Sequence, residues 1–123
     1  MALDWTRWPN FQPWEFECSH TGKCEMNEAF MDRLQRLRER LNMPLVITSG
    51  YRDPSHPIET AKPEPGVHTL GRAVDIAAAG QAQYKIMKAA VELGFTGFGF
   101  ARTFIHIDDW GESPRPNVWT YKE

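Results

Sequence analysis

Two histidines and one aspartate, His68, Asp75 and His106, make up the ligand set expected of one catalytic zinc ion per chain. Two neutral imidazoles and a carboxylate leave a fourth position for water, and that open position separates a reactive zinc from a structural one. His68 and Asp75 stand in Gly66-Val67-His68-Thr69-Leu70-Gly71-Arg72-Ala73-Val74-Asp75-Ile76, and His106 in Phe104-Ile105-His106-Ile107-Asp108-Asp109-Trp110. Aspartate is disfavoured in strands. Between Val74 and Ile76 it faces a buried region, where a bare carboxylate is costly and a dication makes the position favourable. Arg72 or a backbone amide is the alternative partner. A lone histidine is more often a surface or satisfied core residue than a ligand, so the three residues count as a set on adjacent apolar strands.

Two further groups complete the chemistry. Asp108 lies two residues after His106 and leaves the same face of a strand. It is placed either to contact a metal-bound water or to orient a ligand from behind. Asp109 points the other way and is expected at the surface. Arg52 closes Ser49-Gly50-Tyr51-Arg52 just after a β-branched run. A planar, permanently charged fork there suits a substrate carboxylate or a developing oxyanion, the alternative being a surface arginine paired with Asp53 or Glu59.

The elements that must position these groups can be read from periodicity. Residues 27–42 predict a helix, with Asn27 as N-cap, Phe30, Met31, Leu34, Leu37 and Leu41 on the inner face and Pro44 as the stop. Leu45 to Ser49 reads as a buried strand, Arg72 to Ala77 as a second, and Phe95 to Trp110 as a glycine-punctuated strand or hairpin. Gln81 to Leu93 predicts a helix closed by Gly94, with Tyr84, Met87 and Val91 turned inward and Ala90 a further candidate for that face. Residues 53–67 contain four prolines and Gly66, and so long a loop in a small domain is usually functional. Residues 1–15 form an aromatic, proline-rich arm, 16–112 the domain, and 113–123 a tail. The arm reads either as aromatics packed onto the domain surface or as a strip for a partner or a carbohydrate.

With 123 residues the chain is one domain, and fourteen basic against sixteen acidic side chains give a net charge of −2. No block of one sign suggests a nucleic-acid groove or a membrane patch, and no apolar run reaches the length of a membrane span. The first residues carry no basic segment followed by an apolar stretch, so synthesis in the cytoplasm without a signal peptide is expected. Cys18 and Cys24 are too few for a disulfide framework. Cys18, His20 and Cys24 match no common zinc spacing, and free thiols or a bridge across the turn are the other readings.

Taken together, Ser49-Gly50-Tyr51-Arg52, the His68-to-Asp75 segment and Phe104-Ile105-His106-Ile107-Asp108 resemble the zinc D-alanyl-D-alanine carboxypeptidase family. That family includes cell-wall carboxypeptidases, vancomycin-resistance dipeptidases and many bacteriophage endolysins. The likeness covers residues 11–110. It implies an α+β domain, an antiparallel sheet flanked by helices, related to the hedgehog fold. It implies His68, Asp75 and His106 as zinc ligands and Arg52 as the group that binds the substrate carbonyl or carboxylate, with Ser49 and Tyr51 beside it. The implied substrate is a peptidoglycan stem peptide, cut at a D-Ala-D-Ala or an L-Ala-D-Glu-type bond. Some members carry a glutamate or aspartate a few residues before the third ligand, but Ala101, Arg102, Thr103 and Phe104 stand there, so Asp108 becomes the candidate acid/base. Many relatives have Ser-x-His at the first ligand, where this chain has Gly66-Val67-His68. The rival reading is a non-catalytic zinc domain, as in hedgehog signalling, for example a phage particle component whose N-terminal arm meets other structural proteins. An intracellular dipeptidase is a third. On the leading reading the protein acts on the cell wall after release or as part of a phage particle.

Overall fold

Asn27 opens the longest helix. Its side chain accepts a hydrogen bond from the Phe30 amide at 2.9 Å, and α1 runs from Glu28–Leu41 before Asn42 ends it in the left-handed region at φ 48°. Phe30, Met31, Leu34 and Leu37 are buried along the predicted inner face, and Leu41 is half-buried. The computed structural model describes residues 3–121, and no helix among them is long and apolar enough to cross a membrane.

Five strands form one sheet in the order β1-β2-β4-β3-β5. They are β1 (Ile47–Ser49), β2 (Ala73–Ala77), β3 (Gly97–Phe100), β4 (Phe104–Asp108) and β5 (Asn117–Thr120). The first four pair antiparallel, as expected, and β5 adds a parallel edge beside β3. The sheet therefore takes in residues of the predicted tail. A parallel neighbour needs a return connection that no local pattern announces. Of the run 45–49 expected as a buried strand only Ile47–Ser49 pair, as an edge strand flanked by β2 alone, and Val46 just before it is 60% accessible.

Side-chain alternation divides this sheet into two faces with different tasks. Val74, Ile76, Phe98, Ile105 and Ile107 point to one face and belong to the core, with Val74 opposite Ile107 and Ile76 opposite Ile105. Each such buried side chain contributes about 1.5–3 kcal/mol of transfer free energy, which makes a one-residue slip of register prohibitive. The register thus sends Ala73, Asp75, His106, Asp108, Gly97 and Gly99 to the opposite face.

The second long helix, α3 (Gln81–Glu92), buries Ile86, Ala89 and Ala90, while Tyr84 and Val91 are exposed. Two apolar stripes compete on this helix. The one with alanines wins because small side chains permit the close packing of α3 against α1. The N-terminal aromatics also differ from a surface decoration. Trp8, Phe11 and Phe16 are essentially inaccessible and join the core, Phe11 packing edge-on to Phe16 at 5.6 Å, while Trp14 stays exposed. Large rings bury enough area to be drawn inward from short 3₁₀ turns that carry no helical or strand period.

Candidate active site and metal centre

Asp75 and His106 are direct cross-strand partners on β2 and β4, so their side chains leave the sheet side by side. His68 arrives from a 3₁₀ turn at Val67–Leu70 that Gly71 closes at φ 68°. A side chain on Gly71 would strike the backbone of Glu25 and Met26, so glycine is required for both conformation and clearance. One Asp75 oxygen, Oδ1, lies 3.2 Å from His106 Nδ1 and 3.4 Å from His68 Nε2. The potential ligand atoms of the trio all fall within 4.8 Å of one another.

These separations suit zinc. Donors bound tetrahedrally at about 2.0–2.2 Å lie roughly 3.3–3.5 Å apart. The far nitrogens are also secured: His68 Nδ1 meets the Gly50 carbonyl at 2.8 Å, and His106 Nε2 meets Asp108 Oδ2 at 2.6 Å. A metal-binding histidine is normally tethered in this way by its second ring nitrogen. The donor set of two imidazoles and a carboxylate therefore fits a single zinc ion. Among the described residues it is the only such cluster, and Cys18 and Cys24 are free thiols.

Electrostatics agrees with the geometry. Burial pushes the Asp75 carboxyl up, but hydrogen bonds and charge from His106 and His68 outweigh it and hold the group far below the usual carboxylate range. Burial pulls His106 down, and Asp108 and Asp75 more than reverse this. The field that favours a proton on His106 equally favours a dication among these donors.

Of the two placements expected for Asp108, its side chain takes the one behind the His106 ring. Its side chain is fully inaccessible, Oδ2 meets His106 and Arg115 Nη2 at 2.9 Å, and Oδ1 accepts from Arg115 Nε at 3.0 Å and the Trp110 amide at 3.2 Å. Burial raises its carboxyl, but His106 and Arg115 bring it down to about 2. Asp109 is buried rather than solvated, because Arg72 Nε bonds its Oδ1 at 2.9 Å.

The trio opens into a cleft of about 680 Å³, lined by Arg52, Lys62 and Glu64 toward the proline-rich loop and by Trp110, Arg115, Trp119 and Tyr121 on the other side. Arg52 reaches the cleft and is also bonded to Glu59 at 2.9 Å and to Ser49 Oγ at 3.1 Å. Ser49 thus braces Arg52, and Tyr51 is a buried core residue; neither lines the cleft. Sequence reasoning missed Glu59 as more than a pairing option, and it missed Arg115 and Trp119 altogether. Trp119 lies 5.1 Å from the His106 ring and Arg115 stacks on Trp119 at 4.8 Å. The one available signal was glycine at Gly97 and Gly99. A side chain on Gly97 would occupy the space of Asp108 and Arg115, and one on Gly99 that of Trp119 and Tyr121.

A His-Asp-His trio whose geometry fits one zinc ion, opening into a cleft on the polar face of a small α+β sheet, has the make-up of a metal-dependent hydrolase. The family model described as peptidase M15 matches residues 9–108, and the chain belongs to that family, the zinc D-alanyl-D-alanine carboxypeptidase family whose motifs it carries. It is a zinc metallopeptidase of the kind that acts on peptidoglycan. No curated protein matches the chain. Arg115, Trp119 and Tyr121 lie beyond the matched residues.

Proposed function

We propose that the enzyme cleaves peptidoglycan stem peptides at a bond whose leaving residue carries a free α-carboxylate. The observation that carries this reading is Arg52, a guanidinium held at the cleft beside the metal trio. Both D-Ala-D-Ala and an α-amino-linked L-Ala-D-Glu unit present that carboxylate next to the scissile amide, so one binding group serves either bond. Zinc supplies Lewis acidity and an activated water at neutral pH. Arg52 holds the carboxylate and thereby fixes the carbonyl relative to the trio. Asp108 holds the His106 ring, with Arg115 neutralising the Asp108 charge. Glu64, exposed on the loop and the one cleft-lining carboxylate besides Asp75 among the described residues, would take the proton of the attacking water and pass it to the leaving amine. Glu64→Gln is expected to lower kcat about 10²-fold at unchanged zinc content, measured by steady-state kinetics beside metal analysis.

The many endolysins of the family support delivery to the wall by cell lysis or on a phage particle. The direct test is release of new amino groups from purified peptidoglycan by zinc-loaded protein, with a chelated sample and His106→Ala alongside. Cleavage lost in both controls, with mass analysis placing the cut before D-Ala or D-Glu, is the expected result. No cleavage by protein holding one zinc per chain would favour a docking domain instead.

A further inference from the structure

Glu59 is a buried carboxylate that the reaction just described leaves unused. It stands on α2 (Pro57–Thr60), a single turn within the proline-rich loop, and its side chain is completely inaccessible. Such a group is retained only with full compensation. Here Oε2 meets Arg52 Nη1 at 2.9 Å and Lys62 Nζ at 3.1 Å, while Oε1 accepts from the Gly66 amide at 2.7 Å. Burial raises the carboxyl, and the Gly66 amide, Arg52 and Lys62 lower it to about 2, so it is ionised throughout the working range.

We infer that Glu59 is a positioning residue that presets Arg52 and Lys62 as a two-cation seat for the substrate carboxylate. Both cations line the cleft, and Glu59 offsets the charge of only one of them. Arg52 is braced from two sides, by Glu59 and by Ser49 Oγ, so its fork is oriented before substrate arrives. The same carboxylate ties down Gly66, two residues ahead of His68, and the Arg52 amide donates to the His68 carbonyl at 3.1 Å. The seat and the first ligand are therefore held in one frame. Lys62, with 41% of its side chain exposed against 14% for Arg52, is the more solvated arm.

This inference rests on Arg52 as the carboxylate-binding group, and the test separates the two. Wild-type, Glu59→Gln, Lys62→Met and Arg52→Ala proteins are compared on a synthetic stem pentapeptide. Two further peptides carry an amide in place of either the terminal carboxylate or the D-Glu α-carboxylate. Zinc content and Tm are recorded for each protein. The expected result is that Glu59→Gln and Lys62→Met each lower the acid-over-amide preference about tenfold, chiefly through KM, with one zinc retained. Which amide abolishes the preference identifies the carboxylate that is bound. Calorimetric titration with acetyl-D-alanine and its amide reads the same preference without turnover. Glu59→Gln with wild-type preference, or with equal losses on acid and amide, overturns the Glu59 proposal. If Arg52→Ala loses the preference while Glu59→Gln keeps it, only the Glu59 role falls. If Arg52→Ala keeps it, the Arg52 reading falls as well.

Discussion

Asp75→Ala protein is expected to lose peptidase activity by roughly 10³-fold or more, because the reaction forfeits several kcal/mol of charge stabilisation supplied by the ion. The loss should appear as absent zinc rather than as altered KM. Asp75 Oδ1 is the atom both histidines face, and it carries the negative charge that makes a site of two neutral imidazoles favourable for a dication. Asp75→Asn separates charge from shape. It keeps the volume and an acceptor oxygen but removes the charge, so zinc affinity should fall nearly as far as in the alanine variant. Metal analysis after dialysis, beside amino-group release from peptidoglycan, reads both quantities. Asp75→Asn with full zinc and full activity would remove this carboxylate from the ligand set.

Asp108→Ala should be the most damaging change outside the trio, and damaging in two ways at once. It strands Arg115, whose side chain is only 12% exposed, without its counter-charge, and breaking such a buried pair costs about 3–5 kcal/mol. It also frees the His106 ring, which should lower zinc affinity about 10- to 100-fold. Denaturant unfolding and competition with a metal chelator measure the two effects separately. Asp108→Asn tells orientation from proton transfer, because its amide oxygen still accepts from His106 Nε2. With orientation as the role, saturating zinc restores most of kcat. Were Asp108 the acid/base, kcat would stay depressed by about 10²-fold or more with zinc fully bound.

The contrast between Asp108 and Asp75 shows how far spacing alone reaches. Both aspartates leave the same sheet face, and alternation along a strand predicts that much for each. What divides them is the neighbour across the ladder. Asp75 stands opposite His106, whereas Asp108 stands between Ala73 and Gly97, two residues too small to fill the space. Arg115 enters that space and saturates the carboxylate. Asp109 illustrates the same point in reverse: expected in water, it is buried because Arg72 folds over it.

Local physics made the rest legible. Helix α1 was readable because its cap, its apolar stripe and its stop lie within one stretch of chain, each acting over a few residues. The trio was readable because aspartate and histidine flanked by Val74, Ile76, Ile105 and Ile107 conflict with burial unless something polar or charged compensates. Helix α3 carried two apolar stripes of similar merit, and only its packing against α1 chose between them.

The candidate ligand trio, the strands that carry two of its members, and the family were thus legible in residue types and spacing. Only the folded chain shows Asp108 buried against His106 and Arg115, Glu59 bonded to Arg52 and to the loop before His68, and Trp119 and Arg115 walling the cleft. The reason is that a charged side chain takes its role from the partner it meets after desolvation. That meeting depends on strand order, here on β5 returning parallel beside β3, and on loop paths whose contacts no period or short spacing encodes.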